Sequence, residues 1–192
     1  MKIPKHAKKV FKGEIFEVHQ WKQKLFDGSY ATFEALKRPN TIQVIAVQDD
    51  KVLVGYEKQP LKGMFYSFFG GRQEKGELPL LTAKRELLEE TGMASEDWEL
   101  FKIYNPVSKI DWSVYIFIAR NCRKAAKPSL EPGQRIIVKK FSFNDFISLV
   151  CSDKFVSTDI ACYFLRIKND SKKLKAFKNK LFGKQNKHFE NV

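Results

Sequence analysis

The residues best equipped for chemistry lie between Gly70 and Met93, in the stretch GGRQEKGELPLLTAKRELLEETGM. Leu80 to Thr91 is rich in Leu, Ala, Lys, Arg and Glu and so favours helix, with Gly92 placed to end it. Glu86, Glu89 and Glu90 fall at i, i+3 and i+4, which sets their carboxylates on one helical face. Three like charges that close repel one another unless something neutralises them. A hard divalent cation with oxygen ligands, Mg²⁺ or Mn²⁺, is the natural counter-charge. The bland alternative is a solvated helix whose glutamates pair with Lys84 and Arg85. The preceding loop, Gly70 to Gly76, offers exposed backbone to a ligand or a metal. Glu77 and Arg85 suit a salt bridge that braces this loop against the helix.

The elements that position these residues follow from pattern. Lys9 to Glu34 reads as two strands around the turn dipeptide Asp27-Gly28. Thr41–Gln48 and Lys51–Glu57 form a second hairpin across Asp49-Asp50, followed by the glutamate helix. Trp98 to Tyr104, Ser113 to Ala119 and Arg135 to Phe141 are further strands. Phe143 to Ser152 and Ser157 to Lys168 read as helices, capped by Ser142 or Asn144 and by Ser157 or Thr158. Strands alternating with two or three helices indicate an α+β fold, a mixed sheet with helices on its faces. The expected organisation is a small antiparallel strand subdomain over residues 1–38, a main domain over 39–168, and a basic helical tail over 169–192. Phe16, Tyr30 and Phe33 alternate along a strand and are expected in the core.

Composition narrows the setting. The chain has 192 residues and 43% hydrophobic content, enough for one domain with extensions. Cys122, Cys151 and Cys162 are odd in number and widely spaced, which matches neither a zinc site nor a disulfide frame and points to a reducing, cytoplasmic location. The basic N-terminus lacks the apolar region of a signal peptide, and no run reaches transmembrane length, so a soluble protein is expected. The formal net charge is +13, and residues 166–192 hold nine Lys or Arg against two Asp or Glu. In that tail Leu174, Phe177, Leu181 and Phe182 form a narrow apolar stripe at i, i+3, i+7 and i+8. The stripe either packs on the domain with its lysines in water, or marks a helix that binds a membrane surface or makes weak contact with RNA or another polyanion.

Seven positions in the first stretch (Gly71, Glu77, Arg85, Glu86, Glu89, Glu90 and Gly92) match the box of the Nudix hydrolases. At roughly 1 in 15 per position, chance gives such a match on the order of 10⁻⁸ per starting point. From about Val10 to Leu165 the chain resembles the ADP-ribose pyrophosphatases and related nucleoside-diphosphate-sugar hydrolases of that family. Glu34 and Arg38-Pro39 fall on the family's "E…R-P" segment. Tyr56-Glu57-Lys58-Gln59-Pro60 resembles its Q-Y-R-x-P segment, with Lys58 for the phosphate-contacting arginine, which keeps the charge and loses the bidentate fork. Pro106 resembles the proline that marks ADP-ribose-type members. Ser67 and Phe69 replace the usual Glu and Pro before the paired glycines. Gln134 stands where the glutamate of the catalytic loop is expected, and glutamine cannot take a proton from water as a carboxylate can. Glu131, or a glutamate of the box, is left as the base.

The resemblance implies a Nudix α/β/α sandwich with a mixed sheet, preceded by the strand subdomain, and a homodimer built through that subdomain. It implies metal on Glu86 and Glu90 with the Gly70 carbonyl and Glu89 completing the set. Arg38, Lys58, Arg72 and the Gly71 backbone are the implied substrate contacts. The reaction implied is metal-dependent cleavage of a nucleoside-diphosphate-linked substrate, such as ADP-ribose to AMP and ribose 5-phosphate. Two alternatives stay open: a Nudix pyrophosphatase acting on nucleoside triphosphates, dinucleoside polyphosphates or RNA 5′ ends, and a non-catalytic nucleotide-binding module.

Overall fold

The structure, a computed structural model, describes residues 2–183, so residues 184–192 of the basic tail lie outside the described residues. In chain order the strands and helices are β1 (Lys8–Lys12), β2 (Glu17–Lys24), β3 (Tyr30–Lys37), β4 (Thr41–Gln48), β5 (Lys51–Lys58), β6 (Met64–Ser67), α1 (Pro79–Thr91), β7 (Met93–Ala94), β8 (Asp97–Tyr104), β9 (Ile110–Asp111), β10 (Val114–Arg120), β11 (Arg123–Lys124), β12 (Arg135–Phe141), α2 (Phe143–Val150), α3 (Thr158–Ile167) and α4 (Ser171–Phe182).

The central sheet runs β12-β5-β4-β10-β8, with β6 added against β5. Its β4–β10 pair is parallel, while β5, β8 and β12 join antiparallel. Both faces are covered, and strand periodicity divides the apolar side chains between them. Ile42, Val44, Ala46, Leu53, Phe117 and Ala119 turn to one face, where Ala83 and Leu87 of α1 close over them. Ile45, Val47, Val52, Val54, Ile116 and Ile118 turn to the other, beneath α2, α3 and α4. The result is the α+β, three-layered arrangement expected from the sequence.

The β4–β5 hairpin turns at Asp49, which adopts φ 53°, a conformation that Asp tolerates. Its strands pair only from Ala46 to Leu53 and then diverge. Into the gap comes the chain after β5. β6 pairs with the far half of β5, and Phe69 and Arg72 then bridge to Val44 and Thr41 of β4. The paired glycines are thereby threaded between the two strands, under α1. This helix starts with Pro79 in its first turn and ends at Gly92, whose amide donates to the Leu88 carbonyl.

A second sheet, β1-β2-β3-β9, holds the N-terminal residues. Three strands replace the two expected there, because a turn at Gly13, whose amide donates to the Phe16 carbonyl, splits the first. The fourth strand, β9, comes from after the glutamate helix and pairs parallel with Leu36 and Lys37. Phe16, Tyr30 and Phe33 are exposed rather than in the core. Phe16 precedes β2, and Tyr30 and Phe33, three apart on β3, point to opposite faces of a sheet that leaves both exposed. All three cysteines are free. No described helix is long and apolar enough to cross a membrane.

The stripe of the basic tail packs on the domain. Phe177 and Leu181 are buried in the main core, and Leu174 and Phe182 lean against it. Phe177 meets Phe164 edge-on at 5.0 Å between ring centroids and lies 5.4 Å from Phe101. Lys172, Lys173, Lys175, Lys178 and Lys180 are exposed. Buried Arg120 fastens the helix from below. It donates to the Lys180 carbonyl at 2.6 Å and pairs with Asp97 and Glu99, while Lys180 pairs with Glu99 as well. Phe177→Ala should therefore cost about 3–5 kcal/mol of unfolding free energy, whereas Lys175→Ala should stay within about 0.5 kcal/mol. Urea denaturation checks this, and a cost below about 1 kcal/mol for Phe177→Ala would mean that α4 contributes little to the core.

Candidate active site

Glu86 and Glu90 are one helical turn apart and both turn inward, at 9% and 6% exposure. Glu90 Oε2 accepts a 2.8 Å hydrogen bond from the Gly70 amide. Gly70 has φ +139°, and a Cβ there would lie 2.0 Å from the Ile42 carbonyl oxygen. At Gly71 a Cβ would fall 2.5 Å from Glu86 Oε1. Only glycine lets the backbone pass this close to β4 at position 70 and to the Glu86 carboxylate at position 71. The Phe69 and Gly71 carbonyls accept from the Val44 and Ile42 amides, which ties the glycine pair to β4.

Glu89 stands apart from the other two. Its side chain is 44% exposed and accepts a 3.0 Å bond from Arg85 Nη1, which also donates to Glu86 Oε1 at 2.9 Å. Arg85 further grips both oxygens of Glu77 at 3.1 Å, and Thr82 Oγ1 donates to Glu77 Oε2 at 2.7 Å. The brace between loop and helix is thus in place. Gln73 adds to it by bonding Asn40 and the Glu77 carbonyl.

Electrostatics set the character of the pair. Burial pushes the Glu90 carboxyl up to about 9; the charges of Glu86, Glu57 and Glu89 add to the rise and the Gly70 amide opposes it. Burial also raises Glu86, against the pull of Arg85, and the charge of Glu131 is among the smaller causes. Two desolvated carboxyls beside one backbone turn are a hard-oxygen donor set that ionises readily only when a counter-charge arrives. These residues fit a divalent cation of the Mg²⁺ or Mn²⁺ type. Among the described residues no three acidic, His or Cys side chains already converge as a metal site, and Arg85 stands between Glu86 and Glu89.

The other sequence-predicted residues surround this centre. Glu131 is exposed in the turn before β12, where its carbonyl accepts from the Gln134 amide at 2.9 Å. Gln134 is half-buried. Lys58 ends β5 opposite Arg135, and both line a groove of about 290 Å³ with Pro60, Pro132 and Gly133. Arg38 lies 4.6 Å over the Trp112 ring and 5.7 Å from that of Phe16, with its Nη2 3.4 Å from Thr41 Oγ1. Its Nε is buried with no hydrogen-bond partner among the described residues. Burial lowers the Arg38 pKa, and the charge of Arg72 lowers it further, so the two guanidiniums share one region. Sequence reading assigned no role to Trp112 or to Glu57. The signal for Glu57 was available: an acid in step with Leu53 and Gly55 on a buried strand face.

Glu77 generates a test of the brace. Arg85 holds its carboxyl at about 2, below the ordinary 4.5, so the native state binds fewer protons than the unfolded state between these values. The stabilisation is complete above pH 4.5 and lost as pH falls towards 2. The stability gap between wild type and Glu77→Gln, read from urea midpoints, should be widest near neutrality and narrow on acidification below about pH 4.5. A gap independent of pH would sink the assignment.

Comparison with known proteins matches this geometry to a family. Residues 37–150 match the model of the NUDIX domain. An ADP-ribose pyrophosphatase of Bacillus subtilis (strain 168) is 29% identical over 167 residues, covering 83% of this chain and 89% of the relative. A methanol dehydrogenase activator of Bacillus methanolicus is 28% identical over 121 residues, covering 62% of this chain and 65% of its own. A crystal structure described as an ADP compounds hydrolase superposes with a TM-score of 0.69 at 18% identity, covering 87% of this chain and 94% of that one, and shares its fold. With the family model spanning more than half of its length and the box residues gathered against the glycine pair, the chain belongs to the Nudix family and is a Nudix pyrophosphohydrolase.

Proposed function

We propose that this protein hydrolyses the diphosphate of a nucleoside-diphosphate-linked substrate, ADP-ribose or a related nucleotide sugar, with Mg²⁺ or Mn²⁺ as cofactor. The observation that carries this reading is the pair of buried carboxylates, Glu86 and Glu90, pressed against Gly70 and Gly71. The ADP-ribose pyrophosphatase among its relatives supports the substrate class. The cation would be held by Glu86, Glu90 and the Gly70 carbonyl, with Glu89 completing the set. When bound, it supplies charge neutralisation for the diphosphate and acidifies a water for attack on phosphorus.

The remaining work falls to side chains. The Gly70 amide orients Glu90, and Arg85 holds Glu86 and Glu89 at their spacing. Arg38 and Arg72 present positive charge to the phosphates, the unpartnered Arg38 Nε being a donor ready for an anion. Lys58 adds a point charge from β5. Glu131, whose charge reaches Glu86, acts as general base in place of Gln134, which can orient a water but not deprotonate it. The exposed Phe11, Phe16, Tyr30 and Phe33 of the N-terminal sheet support a homodimer through that surface. The unpaired cysteines support a cytoplasmic location.

Incubation of the protein with Mg²⁺ or Mn²⁺ and a panel of ADP-ribose, nucleotide sugars and nucleoside triphosphates should release AMP from ADP-ribose preferentially. Pyrophosphate from triphosphates would instead favour a triphosphate pyrophosphatase. Glu90→Gln should lower kcat by on the order of 100-fold or more. It should leave the far-UV circular dichroism unchanged, because the amide is isosteric with the protonated acid that burial favours. Glu131→Gln should cost about 10²–10⁴-fold, and Gln134→Glu should restore part of that loss. Full activity in Glu131→Gln would move the base back to the box.

A further inference from the structure

Glu57 is 6% exposed, and an acid this buried calls for a partner. It lies on β5 in step with Leu53 and Gly55, on the face that α1 covers. Gly55 has no side chain and leaves room for Phe69, 3.5 Å from where a Cβ would be. Glu57 follows it towards the end of the strand where the glycine pair and Glu90 lie. Its contacts are few. Ser67 Oγ donates to Glu57 Oε1 at 2.5 Å, and Gln59 Nε2 makes a long 3.4 Å contact to Oε2. Among the described residues no Lys or Arg forms an ion pair with it. Its charge instead bears on Glu90, in the same direction as those of Glu86 and Glu89.

Ser67 links this acid to the sequence. It pairs with Gly55 across β5 and β6 and so is the diagonal neighbour of Glu57 on the same face. The resemblance read from the sequence sets a glutamate at position 67 before the glycine pair, where this chain has Ser67. A carboxylate is present one strand away from it, hydrogen-bonded to the Ser67 hydroxyl.

We infer that Glu57 is a further cation-facing carboxylate of this site, supplied from β5 and oriented by the Ser67 hydroxyl. The inference rests on the cation-dependent reading given above. A purely structural role for Glu57 requires only an acceptor for Ser67, which glutamine provides equally well. A role towards the cation requires the charge.

Mn²⁺ titration of the full chain, with free Mn²⁺ read by electron paramagnetic resonance, separates the two. Wild type should bind. Glu57→Gln should raise the Kd about tenfold or more, and the exchange variant Glu57→Gln/Ser67→Glu should return it to roughly the wild-type value. Unchanged Mn²⁺ affinity in Glu57→Gln, with binding by wild type, overturns the role of Glu57 alone. Absence of binding by wild type overturns the cation reading beneath it. Should Glu57→Gln fail to fold by circular dichroism, the exchange variant carries the test, since it keeps one carboxylate in the gap. Near-wild-type affinity then supports the inference, and a tenfold loss in the folded exchange variant overturns it.

Discussion

Taking two carboxylates out of water beside a bare backbone turn is the costly act around which this protein is built. Glu86 and Glu90 lose hydration that nothing inside the protein fully replaces. The arrangement holds because several independent constraints meet there. β4 and β5 diverge, the chain after β6 fills the gap, and two glycines let backbone and carboxylates come within contact distance. Arg85 and Glu77 lock the loop against the helix so that the geometry survives the repulsion it creates. The fold thereby holds ready two desolvated carboxyls whose ionisation a doubly charged cation would favour.

Rigidity for this arrangement comes from a sheet clamped on both faces. The strands alternate apolar side chains to α1 on one side and to α2, α3 and α4 on the other, so neither face can slip without exposing a core layer. The basic C-terminal helix belongs to this clamp. Its lysines face water, while Phe177 and Leu181 fill the core and Arg120 binds its last turn from the interior. High charge and tight packing coexist because they occupy opposite sides of one amphipathic helix.

Around the centre, this chain places charge differently from the pattern that its resemblance implies. By that pattern Lys58 stands for an arginine, and Gln134 and Ser67 each stand for a glutamate. Such changes are compatible because a phosphate-handling site needs charge at a point in space, whichever strand delivers it. Glu131 lies three residues from Gln134 in the same turn, and Glu57 lies across a strand pair from Ser67. In both cases a carboxylate is present close to a position where the resemblance implies one.

The local elements were legible in the sequence. The β4–β5 hairpin, β12 and the helix ending at Gly92 follow from periodicity and turn residues, since hydrogen bonds within a turn or hairpin close over a few residues. The box glutamates Glu86, Glu89 and Glu90 were legible for the same reason, their spacing being helical, whereas Gly71 and Glu77 were legible through the resemblance. Which glutamates face inward was not. On a helix Glu90 lies about 40° to one side of Glu86 and Glu89 about 60° to the other, so all three share a face by pattern, and only the layer beneath selects 86 and 90. Strand patterning likewise made Phe16, Tyr30 and Phe33 candidates for the core, yet the fold leaves them exposed. The pairing of β9 with β3, the docking of α4 and the meeting of Glu57 with Ser67 join segments from different strands and helices. Spacing along the chain determines which way a side chain points within its own element; what it meets there is decided by packing between elements, and that only the folded molecule decides.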